Sequence, residues 1–188
     1  MEYGICNLGN VPIRSKAKDQ AEIVSFLLFG EHFKIISTKK NWIKIITHHD
    51  NYEGWICSKQ YTEITYEDFD HLSINKFPIC GDKNGEIINL STGDITPISS
   101  GAILPYYHKG KFKIRKQEYS TNVNLATSNK SDLETYSKSL LNTNILSLFP
   151  HPELFNFSYN FCCISGIVIN LVYLVNEKRK NKSYVYTC

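Results

Sequence analysis

The sequence predicts a mainly β protein that contains two small barrels followed by a short, mostly helical segment. Short apolar runs alternate with turn-forming residues through the first 119 residues, as is typical of all-β domains. Nine of the ten glycines and both tryptophans lie within the first 110 residues. Asparagine then becomes frequent and acidic residues become rare, so we expect a domain boundary near residue 120.

The first predicted unit covers residues 1–65. Turn residues at 29–31 and 39–41 separate its apolar runs. Five strands in about 60 residues fit a small barrel, which closes on itself and so removes exposed sheet edges. The predicted strands are 11–13, 22–28, 32–36, 42–46 and 54–56.

The second predicted unit covers residues 75–119, after a short helical connector at 66–74. We expect strands at 86–90, 103–107 and 111–115, with Pro105 favouring an edge position for the second of them. The last strand alternates strictly between cations and apolar residues. This period of two predicts that Phe112 and Ile114 face inward and that the cations face water.

The remaining residues, 120–188, begin with a polar loop. Ser131 and Glu134 have the spacing of a helix capping box, which predicts a helix through Leu141. An apolar run from Phe161 to Val175 is shorter than the ~18–20 residues that a membrane-spanning helix needs. We therefore expect no membrane span, and a membrane-anchored module remains an alternative.

The first unit contains a series of short motifs, in the order Val11-Pro12-Ile13-Arg14-Ser15, Ile23-Val24-Ser25, Leu28-Phe29-Gly30-Glu31-His32-Phe33, Trp42-Ile43-Lys44-Ile45, Tyr52-Glu53-Gly54-Trp55-Ile56 and Tyr61. These motifs resemble a bacterial SH3 domain, and more closely the first SH3 domain of NlpC-type cysteine endopeptidases of Bacteroidetes-type bacteria. The segment 97–107 resembles the second SH3-like domain of the same enzymes. Gly54, Trp55 and Tyr61 match the common SH3 pattern and are interpreted as core and turn residues.

In that family the SH3 pair precedes a papain-like α+β catalytic domain, which cleaves cell-wall peptides between γ-D-glutamate and the diamino acid. The resemblance therefore implies that residues 120–188 are a truncated or divergent start of such a domain. The position of the family's nucleophilic cysteine falls on Phe157 without gaps, or on Ile164 in a shifted register. Cys162 and Cys163 lie nearby, but no histidine follows them to act as a base. We predict no catalytic residue and interpret both as buried thiols.

The resemblance thus predicts the SH3-containing portion of a murein-peptide endopeptidase, which binds or recycles cell-wall peptide without catalysis. An active cysteine peptidase for γ-D-glutamyl-diamino acid bonds is the alternative. Tyr52 and Glu53 are the candidate substrate-binding residues, because an acid beside an aromatic ring can hold a substrate ammonium. A solvated hairpin is the competing interpretation of this pair.

Charge and composition set further expectations. The net charge of +3 gives no reason to expect a nucleic-acid partner, and the basic residues between Lys109 and Lys116 are interpreted as a solvated strand face. The N-terminus has no basic segment followed by an apolar one, which predicts a cytoplasmic protein. The adjacent side chains of His48 and His49 would point to opposite faces of a strand, so we expect no metal there and no cofactor.

Overall fold

The computed structural model describes residues 2–126 of the chain. The predicted helix at 131–141, the apolar run at 161–175 and the pair Cys162–Cys163 lie outside the described residues. Seven strands form the first sheet, in the order β3-β2-β6-β5-β4-β1-β7. They are β1 (Glu2–Ile5), β2 (Asn10–Arg14), β3 (Ile23–Leu28), β4 (His32–Lys39), β5 (Trp42–Thr47), β6 (Glu53–Cys57) and β7 (Thr62–Ile64).

A helix and a second sheet follow. Helix α1 spans Tyr66–Ile74, and the second sheet has the order β10-β11-β8-β9. Its strands are β8 (Asn84–Asn89), β9 (Ile95–Ser99), β10 (Lys111–Ile114) and β11 (Gln117–Thr121). The mainly β prediction is confirmed, and β11 runs past the boundary predicted at residue 119. All strand pairs in both sheets are antiparallel.

Alternating burial explains the central strands of the first sheet. In β5, Ile43 and Ile45 are buried while Trp42 and Lys44 lie on the outer face. The inner side chains join a cluster that also contains Phe33 and Ile56, both fully buried. Each large buried aliphatic side chain contributes roughly 1.5–3 kcal/mol relative to an exposed one. This cluster therefore stabilises the first sheet from within.

Helix α1 begins with a side-chain cap. The hydroxyl of Thr65 accepts a hydrogen bond from the backbone N–H of Asp68 at 3.1 Å, which satisfies one of the free donors of the first turn. Phe69 and Leu72 form the buried face of the helix. The connector predicted at 66–74 is therefore a capped helix whose apolar side chains enter the core.

The second sheet confirms one prediction and corrects another. Phe112 and Ile114 are 3% and 2% exposed, as the alternation in β10 predicts. The strand predicted at 103–107 is wrong, because Pro105 is buried and Tyr106 has a left-handed φ of 58° that ends extended structure. Residues 95–99, which the sequence analysis missed, form the edge strand β9 instead.

The two sheets share one hydrophobic core. Phe29 belongs to the predicted turn after β3, yet its side chain is fully buried and its ring edge contacts Phe112 and Tyr119 at centroid distances of 5.8 and 5.6 Å. Its carbonyl also accepts a hydrogen bond from the N–H of Ile103 at 2.8 Å. The same cluster includes Leu72 of α1. The β3–β4 turn therefore joins the first sheet to the second.

Trp55 does not lie in the core, where the SH3 pattern predicted it. Ile56, the next residue, is fully buried, whereas Trp55 is half-buried and faces outward from β6. Neighbouring strand residues point to opposite faces of a sheet, so only one of the two can enter the core. Tyr61 does pack against the core, with its ring 5.6 Å from that of Phe33.

Candidate functional site

Tyr52 is held by the turn between β5 and β6. Its backbone N–H donates to the hydroxyl of Thr47 at 2.8 Å, and that hydroxyl donates to the carboxylate of Asp50. Asn51 adopts a left-handed φ of 56°, which an asparagine side chain tolerates well. The phenolic hydroxyl of Tyr52 donates to the carbonyl of Val24 at 3.3 Å, and 38% of the residue stays exposed. The ring is thus fixed at one end and open to solvent.

Glu53, the second predicted binding residue, already has an ammonium partner. Its Oε2 lies 2.6 Å from Nζ of Lys44 on the neighbouring strand β5. Both side chains are partly exposed, and such surface ion pairs contribute about 0–1 kcal/mol. The carboxylate of Glu53 thus contacts β5, whereas the hydroxyl of Tyr52 contacts β3. A ligand ammonium that bound Oε2 of Glu53 would compete with Lys44.

Glu31 is a polar residue that the sequence analysis placed in a turn. It follows the buried segment Leu27–Phe29 and Gly30, and its Oε2 accepts a hydrogen bond from the N–H of Leu28 at 2.9 Å. Loss of water contact is the main cause that raises the pKa of this carboxyl from 4.5 to about 7; the Leu28 hydrogen bond opposes the rise and the charge of Asp50 adds to it. An acid directly after a wholly apolar run was the signal that could have identified it.

Next to Glu31, two imidazoles stack beneath helix α1. The rings of His32 and His48 lie 4.5 Å apart with an interplanar angle of 23°. Nε2 of His32 and Nδ1 of His48 lie 3.1 and 3.4 Å from Oγ of Ser73, which itself donates to the carbonyl of Phe69 at 2.7 Å. A hydroxyl has one proton to donate, so its oxygen accepts from the imidazole N–H groups. This assigns the tautomers of both rings.

The environment favours the neutral form of both histidines. Burial, followed by the charges of His48 and His49, lowers the pKa of His32 from 6.5 to about 3. Burial also lowers the pKa of His48, and the ammonium of Lys34 adds to this effect. Sequence reasoning placed His32 in a predicted strand and expected no metal at His48 and His49. It missed their stacking because β4 and the β5–β6 turn meet only through the sheet register.

Cys6 and Cys80 are unsuited to nucleophilic catalysis. Burial raises the pKa of Cys6 to about 12 and that of Cys80 to about 11, so both thiols stay protonated near neutral pH. Cys57 is half-buried in β6. Within residues 2–126, no group of three or more His, Cys, Asp or Glu side chains is arranged to hold a metal ion. That range also contains no helix long and apolar enough to cross a membrane.

Comparison with known protein families gives a match to the middle part of the first sheet. Residues 13–60, from the end of β2 to just beyond β6, match the model of the bacterial dipeptidyl-peptidase SH3 domain. This segment is a bacterial SH3 domain. The resemblance noted from the sequence is therefore confirmed for this part of the chain. No curated protein sequence matches the chain significantly.

Solved structures extend the likeness beyond the SH3 segment. A NlpC/P60 family protein from Bacillus cereus ATCC 10987 matches with a TM-score of 0.54 and 11% identity, over 72% of this chain. A NlpC/P60 endopeptidase from Photobacterium damselae subsp. piscicida has a TM-score of 0.45 and 18% identity, over 68% of this chain and 32% of its own. The chain spans 62% of the Bacillus cereus protein, with which it shares its fold.

Proposed function

We propose that this chain is the SH3-containing portion of a murein-peptide endopeptidase, and that this portion binds cell-wall peptide without hydrolysing it. The match of residues 13–60 to the SH3 domain of bacterial dipeptidyl-peptidases carries the proposal. The protonated thiols of Cys6 and Cys80 support the absence of catalysis from the described part. A cytoplasmic role in recycling murein peptides belongs to the same proposal.

Tyr52 and Glu53 form the peptide-binding site in this proposal. Lys44 shows that the carboxylate of Glu53 accepts an ammonium at 2.6 Å, and the free amino end of a peptide offers the same group. Tyr52, which directly precedes Glu53, has a partly exposed ring. A cation binds favourably over the face of such a ring. The amino end of the peptide takes the place of Lys44 when it binds.

Calorimetric titration of the full chain with L-Ala-γ-D-Glu-diaminopimelate tests binding. Glu53→Gln should weaken binding up to about fivefold, since an ion pair with this partly exposed carboxylate contributes ~0–1 kcal/mol. Lys44→Gln should tighten binding, because it removes the competing ammonium. Glu118→Gln, an exposed acid on β11, is the matched control and should leave the affinity unchanged. Equal affinities of Glu53→Gln and Glu118→Gln would remove Glu53 from the site.

Hydrolysis is measured in the same samples. Chromatography after long incubation should show no release of L-Ala-γ-D-Glu. Turnover that disappears in Cys163→Ala would contradict the non-catalytic proposal and would favour the active cysteine peptidase. Cell fractionation tests the cytoplasmic assignment, and recovery of the chain with membranes would overturn it.

A further inference from the structure

The outer face of strands β2, β6 and β5 carries an unusual set of side chains for a solvated surface. Both tryptophans of the chain, Trp42 and Trp55, lie there and are half-buried. Beyond β6 in the sheet order lie β2 and β3, where Pro12 of β2 pairs with Phe26 of β3. Both residues are also half-buried. We call these four residues the aromatic face. Partly exposed aromatic side chains grouped on one surface are typical of interaction sites.

Strand register places cations around both tryptophans. Trp55 pairs with Arg14 of β2 on one side and with Lys44 of β5 on the other. Trp42 pairs with Lys39 of β4. The same register makes the two tryptophans diagonal neighbours, for which separations of roughly 7–8 Å are usual. The aromatic face is therefore interleaved with positive charge.

Most of this charge is not neutralised by the protein. Lys44 has its partner in Glu53, but Arg14 donates to the uncharged carbonyl of Ala21 at 2.9 Å. Lys39 is exposed, and neither Arg14 nor Lys39 forms an ion pair within the described part of the chain. The aromatic face is thus surrounded by three cations and one carboxylate. The face has an excess of positive charge beside partly exposed aromatic side chains.

We propose that the aromatic face binds an acidic polypeptide segment, with Trp42 and Trp55 packing on its apolar side chains. Carboxylates of the segment pair with Arg14, Lys39 and Lys44. A polyanion such as a sulfated glycan would need closely spaced cations, whereas here the cations alternate with aromatic and aliphatic side chains. Tryptophan and arginine are the residues most enriched among those that dominate protein–protein binding energy. Charge and composition together therefore favour a polypeptide partner.

Tryptophan fluorescence, excited selectively over that of tyrosine, reports on this face alone, because the chain contains no other tryptophan. Compared with free tryptophan, the protein should show a higher ratio of iodide to caesium quenching, since the surrounding cations attract the anion. The preference for iodide should fall in Lys39→Gln and remain in Lys116→Gln, which removes an exposed cation after β10. A ratio of iodide to caesium quenching no higher than that of free tryptophan would contradict the charge assignment.

The binding probe is a peptide of alternating glutamate and leucine, about a dozen residues long and capped at both ends. It should shift the tryptophan emission, and Lys39→Gln or Lys44→Gln should weaken its binding about twofold to fivefold, as expected for partly exposed charge pairs. Lys116→Gln and an alternating lysine–leucine peptide are the controls and should show no change and no binding. Binding of dextran sulfate without binding of the acidic peptide would overturn the proposal in favour of a glycan.

Glu53→Gln separates this inference from the proposed function. It should strengthen binding of the acidic peptide, because it removes the one carboxylate of the face and frees Lys44. The same change should weaken binding of the murein peptide through its ammonium. The capped probe has no ammonium, so the two binding modes fail independently. Weaker binding of the acidic peptide to Glu53→Gln would contradict the proposed role of Lys44.

Discussion

The stacked histidines and Glu31 should give this protein an unusual dependence of stability on pH. His32 has its pKa lowered from 6.5 to about 3, so the unfolded chain binds a proton that the folded chain does not bind in this interval. The free energy of unfolding therefore falls by about 1.4 kcal/mol for each unit of acidification between these values. The full contribution of His32 is present above pH 6.5.

Glu31 acts in the opposite direction. Its pKa is raised from 4.5 to about 7, so the folded chain holds a proton that the unfolded chain has already lost. Its contribution to stability is complete below pH 4.5 and is lost as the pH rises to about 7. The slope has the same size, about 1.4 kcal/mol per unit, and the opposite sign. The two effects nearly cancel between pH 4.5 and 6.5, and His32 alone acts below this range.

Urea unfolding from pH 3 to 8, followed by tryptophan fluorescence, measures these slopes. Other carboxylates also titrate in acid, so the informative quantity is the difference between each variant and the unaltered protein. His32→Gln keeps a polar group within reach of Ser73 and removes the titration. Its destabilisation should shrink steadily as the pH falls from 6.5 to 3. The difference for Glu31→Gln should instead change only between pH 4.5 and 7.

Parallel curves for His32→Gln and the unaltered protein would refute the reasoning. They would mean that His32 titrates alike in the folded and unfolded chains, and hence that water reaches the imidazole stack. His71→Gln is the matched control, because His71 is exposed on α1 and stacks on Tyr106 instead.

Two further predictions concern the packing around the first sheet. Gly30→Ala should destabilise the fold by several kcal/mol, because a Cβ there would lie 2.1 Å from the carbonyl oxygen of Ile103 at a φ of +81°; thermal unfolding tests this, and an unchanged melting temperature would contradict the close approach. Ile56→Ala should cost ~2–5 kcal/mol because the side chain is fully buried, whereas Trp55→Ala should cost clearly less. Urea unfolding at pH 7 compares the two, and a larger cost for Trp55→Ala would place its ring in the core.

The sequence was most informative where periodicity is strict. Alternation in β10 was sufficient to place Phe112 and Ile114 inside, since a strand can present every second residue to the core. It was least informative for short strands with little pattern, such as β7, whose three residues gain their place only by pairing with β1. Local propensity is weak for such segments because tertiary pairing decides them.

The polar cluster could not be predicted for a different reason. His32, His48 and Ser73 come from β4, a turn and α1, and they meet only because β4 pairs with β5 and the helix packs on β1 and β4. Each of them has an ordinary role when its local sequence is considered alone. The predicted pair Tyr52 and Glu53 shows the opposite case. These two residues are neighbours in the chain, but their side chains contact different strands, β3 and β5.

The shared core connects these sites to the second sheet. Phe69 contacts both imidazoles with its ring, at centroid distances of 5.2 Å to His32 and 5.7 Å to His48, and it belongs to the same apolar cluster as Phe29. That cluster includes Leu104 and side chains of the second sheet. Helix α1 is therefore held over the histidines by the second sheet as well as by the first. Protonation of the imidazoles would accordingly oppose packing in both sheets, and this coupling follows from the shared core.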